Sequence, residues 1–173
     1  MRSPKRYKSL ALYLSLSMLS ISCLALQEDT QQPIRIVADS AVRDEKQGLT
    51  TYTGNVKMNQ GSMSISAQSI TIHSEGEGVN TIIAQGTPAL FRQKQKGEQS
   101  PVTASGKIIE YYKTTELIHI RQQASIEQNN STVKSEEIQY YINDRIVKAN
   151  SGKQSGRVEV VIPPRPNNKG SLD

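Results

Sequence analysis

Met63-Ser64-Ile65-Ser66-Ala67-Gln68-Ser69-Ile70-Thr71-Ile72 is the stretch that decides the fold. Apolar and polar side chains alternate through most of it. Residues two apart share one face of a β-strand, so the segment has a dry face and a wet one. The pattern continues in both directions, as Val56-x-Met58 before it and as Ile109-x-Tyr111, Ile118-x-Ile120, Ala124-x-Ile126, Ile138-x-Tyr140 and Val158-x-Val160-x-Ile162 after it. No longer window carries a helical stripe. Turn signals separate the runs at Gln47-Gly48, Gln60-Gly61, Gly76-Glu77-Gly78, Gly86-Thr87-Pro88, Ser105-Gly106, Asn129-Asn130, Asn143-Asp144 and Ser151-Gly152. This punctuation predicts an all-β chain of about sixteen short strands, antiparallel because the connections are short.

The alternation also repeats itself. Leu49 to His73 overlays Leu117 to Tyr141 without a gap, bringing Val56 onto Ala124, Met58 onto Ile126, Gln60 onto Gln128 and Ile70 onto Ile138. The inward columns match best, as expected of a quasi-repetitive stack of strands. The inward set is mostly Ile, Val, Met and Ala, and the whole chain has one Phe and no Trp. Two readings fit so aliphatic an interior: a thin sandwich core, or two dry faces that leave an apolar groove for a guest.

With 173 residues, one modest domain is expected. The formal charge of +5 is uneven. Arg2, Lys5, Arg6 and Lys8 stand ahead of the apolar run Leu10–Leu19, and no acid precedes residue 26, so the rest of the chain is close to neutral. A partner recognised through its phosphate backbone, nucleic acid above all, is therefore not expected. Basic start, apolar run and the small residues of Cys23-Leu24-Ala25 read as a secretory signal over 1–25, with Leu26 as the mature start and no cysteine left after it. The apolar run is short for a bilayer span and holds four serines between Leu10 and Leu26, which argues against an uncleaved anchor. The alternation fades after Ile162, so 26–164 is expected to be the domain and 165–173 a disordered tail.

Catalytic signatures are missing. His73 and His119 are the only histidines, each on a strand with no Cys or acid at ligand spacing, and they read as surface strand residues rather than metal ligands. No nucleophile elbow, phosphate loop, dinucleotide fingerprint or paired-Cys motif occurs. The acids Glu75, Glu77, Glu136 and Glu137 read as solvated. No enzyme activity, catalytic residue, metal or cofactor is expected.

Tyr52-Thr53-Gly54-Asn55-Val56-Lys57-Met58-Asn59-Gln60-Gly61, followed by Ile65-x-Ala67 and Ile70, resembles the core motif of the OstA-like domain family. Gln32-Pro33-Ile34-Arg35-Ile36, Gly86-x-Pro88-Ala89-x-Phe91 and a Val-rich last strand ending in Pro163-Pro164 extend the likeness over roughly 31–164. The second copy has Gln122-Gln123-Ala124 where the family shows Gly-Asn-Ala. The resemblance implies an open, folded-over β-jellyroll whose dry interior takes the acyl chains of lipid A, in a periplasmic bridge for lipopolysaccharide. It makes Ile34, Ile36, Tyr52, Val56, Met58, Ile65, Ile70, Phe91, Ile109, Tyr111, Ile126 and Ile138 the expected lipid-contacting residues. It implies as partners lipopolysaccharide itself, the inner- and outer-membrane components of the export machine, and further copies joined head to tail. Val158, Val160 and Ile162 would form the joining edge, since so apolar a free edge is a liability unless covered. Two alternatives share the pattern: an anchored inner-membrane component of the same machine, and a secreted carbohydrate-binding or adhesin sandwich. The scarcity of aromatics for sugar stacking weighs against the second of these.

Overall fold

The computed structural model describes residues 29–164 apart from 77, 96, 99 and 153–155. The expected signal segment, the Leu26 start and the tail from Arg165 lie outside the described residues. A single 3-10 turn (Asp29–Gln31) precedes ten strands. They are β1 (Arg35–Val37), β2 (Ser40–Asp44), β3 (Leu49–Gln60), β4 (Met63–Glu75), β5 (Gly78–Gln93), β6 (Val102–Tyr112), β7 (Leu117–Gln128), β8 (Ser131–Tyr141), β9 (Ile146–Asn150) and β10 (Glu159–Val161). All belong to one antiparallel sheet in the order β1-β3-β4-β5-β6-β7-β8-β10, with β2 also on β3 and β9 also on β8.

The ten strands replace the sixteen expected from turn signals because some of those signals do not turn the chain. Gly86-Thr87-Pro88 lies inside β5 and Ser105-Gly106 inside β6. The pairing slips between Thr53 and Val56, Ser66 and Ser69, Gln85 and Ala89, Ser105 and Ile108, and Arg121 and Ala124. The surplus residues fall on alternate strands: Gly54-Asn55 on β3, the Gly86 segment on β5 and Gln122-Gln123 on β7. A bulge bends its strand without ending it. Aligned across the sheet, the bulges form a seam, and each of the six long strands crosses it once. Counted by halves, six crossed strands and four short edge strands give sixteen segments, so the punctuation was real but its geometry was a bend.

The seam divides the sheet into two limbs. One, the Phe91 limb, carries β1, β10 and the halves bearing Val56, Ile65, Phe91, Ala104, Ile126 and Val133. The other, the Tyr111 limb, carries β2, β9 and the halves bearing Tyr52, Ile70, Ala84, Tyr111, Ile120 and Ile138. Inward residues of both limbs belong to one buried cluster, dominated by Ile, Val, Met and Ala with Phe91, Tyr111 and Tyr140 as its aromatics. Each fully buried aliphatic there contributes about 1.5–3 kcal/mol over an exposed one. The connection between β5 and β6 links the Phe91 limb to the outer end of β8 in the Tyr111 limb. Gln95 Nε2 donates to the Tyr140 hydroxyl and, at 3.5 Å, to the Ile142 carbonyl, and Arg145 pairs with Glu98 at 3.0 Å.

The internal repeat is a backbone fact as well as a sequence one. β3 and β7 span equivalent residues, and β4 and β8 begin at equivalent ones. Left-handed φ recurs at the paired positions Gly48 and Glu116, Gly54 and Gln122, Asn55 and Gln123, and Gly61 and Asn129. Only the first copy uses glycine at the bulge. At Gly54 (φ +82°) a Cβ would run into the Asp39 carboxylate, whose residue holds the β1–β2 corner through Asp39 N to the Thr53 and Gly54 carbonyls at 3.1 Å. Gly106 serves a different purpose: a Cβ there would lie 2.6 Å from Ile120 Cγ2, so its absence lets Ile120 pack into the crease.

Candidate functional site

The interior opens at one end of the sheet, beside β1 and β2. There Ile34 and Ile36 of the Phe91 limb face Thr50, Tyr52, Ile72 and Val79 of the Tyr111 limb across a cleft of about 900 Å³. Arg43, Glu45, Lys46 and Glu75 stand on its rim. Strand alternation puts the apolar members on the floor, and the shortness of β1 leaves them uncovered. The volume is in the range of small-molecule sites, about 300–1,000 Å³.

The twelve expected lipid-contacting residues fall into two groups. Ile34, Ile36 and Tyr52 are half-buried and packed against the core, Ile34, Ile36 and Tyr52 all lining the cleft. Val56, Met58, Ile65, Ile70, Phe91, Ile109, Tyr111, Ile126 and Ile138 are no more than 3% exposed, closed over in the packed interior. Register joins the groups. Ile36, Met58, Ile65, Phe91, Ala104, Ile126, Val133 and Val160 are successive partners from β1 to β10. Along the other limb the row is Ala41, Tyr52, Ile70, Ala84, Ile109, Ile120, Ile138 and Ala149. At the far end β10 pairs with β8, and Val158, Val160, Val161 and Ile162 are exposed.

Polar groups hold the first limb at its outer turn. Gln60, 2% exposed, donates to the carbonyls of Thr30 and Gln32 at 3.2 and 2.9 Å. Asp29 accepts from the Ser62 amide at 2.7 Å, the Ser62 hydroxyl at 2.5 Å and Gln93 Nε2 at 2.9 Å. Partial burial pushes the Asp29 carboxyl up, but those hydrogen bonds outweigh it and hold its pKa below the ordinary value. Inside, burial first, and then the charges of Glu116 and Asp29, push the Tyr111 phenol up to about 12. In the sequence Gln60 reads as a turn marker and as the repeat counterpart of Gln128. Its match to Gln128, whose amide donates to Gln95 at 3.4 Å, was the available sign that both copies use this glutamine as a clasp.

His119 stands on the outer face of its strand, with acidic neighbours that the sequence does not show. Adjacent strands supply the acids that sequence spacing did not: Glu137 Oε1 lies 2.7 Å from Nε2 and Glu110 Oε2 3.3 Å from Nδ1. Glu110 also binds Arg121 and accepts from the Tyr112 hydroxyl at 3.0 Å. This cross-strand cluster lies on the outer face of the Tyr111 limb, and none of its members lines the cleft.

Residues 35–146 match the family described as LptA/(LptD N-terminal domain) LPS transport protein. The chain belongs to this family. Lipopolysaccharide export system protein LptH of Pseudomonas aeruginosa is 33% identical over 155 residues, 84% of this chain and 87% of that protein. The corresponding LptA of Escherichia coli is 31% identical over 169 residues, 94% of this chain and 91% of its own length. The crystal structure of P. aeruginosa LptH, described as the LptA-homologous periplasmic component of the lipopolysaccharide transport device, superposes with a TM-score of 0.75 at 33% identity, covering 80% of this chain and all of that one. The OstA-like resemblance and the β-jellyroll class therefore hold. The LptA/LptD N-terminal family is one of lipopolysaccharide transport proteins.

Proposed function

We propose that the chain is a periplasmic carrier that shields the acyl chains of lipid A and forms part of a protein bridge between the inner and outer membranes, serving lipopolysaccharide transport and outer-membrane assembly. One observation carries this reading: the inward row from Ile36 to Val160 contains no polar residue between one free edge and the other. Transferring a CH₂ out of water is worth about 0.8 kcal/mol, so a chain of a dozen carbons costs on the order of 10 kcal/mol to expose. A lipid with several such chains needs a continuous cover to cross an aqueous compartment. An aliphatic lining without hydrogen-bonding demands supplies that cover and lets the chains slide. Chains seat first against Ile34, Ile36 and Tyr52, and the limbs part to admit them to the residues packed behind.

Assembly follows from the same rows. Strand direction alternates through the eight-strand order from β1 to β10, so β10 runs opposite to β1. A second copy's β1 can therefore add to β10 antiparallel and carry the apolar row onward. Related export components at either membrane would use the same two edges. In this reading residues 1–25 are removed on secretion, 26–164 form the domain and 165–173 are dispensable. Mass spectrometry of protein purified from the periplasm tests it, through a Leu26 start and co-purified lipid A. A photoreactive residue at Ile36 or Phe91 should cross-link lipopolysaccharide. Cross-links confined to outward positions such as Lys57 and Ser64 would overturn the proposal.

A further inference from the structure

A second inward row on the Tyr111 limb runs from Thr50 through Ile72, Ile82 and Tyr111 to Val147, and its first member, on β2, is Arg43. A guanidinium thus stands at a register position that the other strands of the limb fill with apolar or hydroxyl-bearing side chains. It lines the mouth of the cleft whose floor is Ile34, Ile36, Tyr52 and Ile72. Arg43 Nε lies 3.6 Å from the Glu45 carboxylate, and the two side chains are 72% and 81% exposed. An ion pair so open to water holds weakly and is readily exchanged. Lys46 and Glu75 on the same rim offset each other, so position rather than net charge decides what the mouth prefers.

We propose that Arg43 is a specificity-determining residue of the cleft, taking the phosphate head of an amphiphile whose chain lies on the apolar floor, with Glu45 as the internal stand-in for that phosphate. The proposal rests on the lipid-carrier reading given above. The planar guanidinium matches a phosphate through two parallel hydrogen bonds, which the nearby carboxylate, held at 3.6 Å on Nε, does not satisfy. Because head and chain are read together, free phosphate alone lacks the apolar part of the interaction.

The test measures binding of dodecyl phosphate and uncharged dodecyl maltoside, both below their micelle concentrations, to the full chain. Arg43→Gln should weaken dodecyl phosphate roughly fivefold and leave dodecyl maltoside unchanged. Glu45→Gln should strengthen dodecyl phosphate, and Arg43→Lys should restore part of the lost affinity. Millimolar inorganic phosphate should not displace either probe. Equal losses for both probes in Arg43→Gln would make Arg43 a mere support of the cleft wall and overturn the proposal while sparing the carrier reading. Displacement by inorganic phosphate as effective as by dodecyl phosphate would overturn the joint reading of head and chain. Failure of wild type to bind either amphiphile would remove the carrier reading and this inference with it. Circular dichroism confirms that each variant, altered at an exposed side chain, keeps the fold.

Discussion

Phe91→Ala is the perturbation that separates a packed interior from a lipid seat. Phe91 is 1% exposed and stands in register between Ile65 on β4 and Ala104 on β6. A Phe buries roughly 150–250 Å², and at about 25 cal/mol per Å² the lost burial comes to ~4–6 kcal/mol, against a measured span of ~3–5 kcal/mol for such truncations. Ala104 beside it is too short to fill the space, which places the expected loss near ~4 kcal/mol. A domain stable by about 5–15 kcal/mol still folds after that loss.

The void left behind is lined by aliphatic side chains and stays dry, as apolar cavities do, while remaining able to take an alkyl chain. An amphiphile that reaches it stabilises the variant more than wild type, whose interior must part first. Urea unfolding with and without dodecyl maltoside reads both effects. The variant's midpoint should fall sharply without ligand, and the ligand-induced rise should be larger in the variant. A loss under about 1 kcal/mol would mean Phe91 is not in a closed core. Equal ligand gains in the two proteins would mean the seat does not extend to Phe91.

Three further outcomes are expected. The Asp29 carboxyl titrates below its ordinary 3.8, so its hydrogen bonds contribute stability at neutral pH that is lost as pH falls through the folded value. Asp29→Asn should therefore lie below wild type at pH 6 and converge on it in acid, and a constant gap between the two thermal-melting profiles would refute this. Gly54→Gln, at φ +82° against Asp39, should destabilise by about 1–3 kcal/mol. Gln122→Gly at φ +62° should be nearly neutral, relief of strain offsetting glycine's entropy of about 0.5–1 kcal/mol, and equal denaturation midpoints for the two variants would contradict the asymmetry. Val160→Lys, 54% exposed on β10, should reduce oligomers in a light-scattering dilution series and shift the monomer's stability by no more than about 0.5 kcal/mol. Unchanged oligomers would show that this edge is not the joint.

The face of each strand was legible because period two is a local property: every inward residue from Val56 to Ile138 named from the alternation is buried or half-buried in the cluster. The repeat was legible for the same reason. What local pattern could not distinguish was a turn from a bend. Gly86-Thr87-Pro88 carries the residues of a turn, but whether the chain reverses or continues depends on the neighbouring strands, whose pairing with β5 resumes at Ala89 for β6 and at Leu90 for β4. Gln122-Gln123 carried no such residues and still adopts the left-handed pair, because β6 and β8 hold β7 on both sides. The His119 cluster was hidden for a related reason. Its acids, Glu110 and Glu137, are distant in sequence and meet the histidine only across strands.

Under the carrier reading proposed above, the seam also explains why this architecture suits a cover that further copies lengthen. A sandwich made of two separate sheets needs connections that cross its ends, and those connections would plug the interior. Here one sheet supplies both walls because bulges on β3, β5 and β7 fold it along a single line, and the long strands connect at the rims rather than across the ends. Both rows therefore reach the terminal strands, at Ile36 and Ala41 on one side and at Val160 and Ala149 on the other. Adding a copy at either edge lengthens the apolar lining by whole strands and requires no change within the domain. On the proposed head-to-tail reading, the exposed valines of β10 and the open cleft at β1 are two halves of one requirement: an interior that is to be continued has to end uncovered.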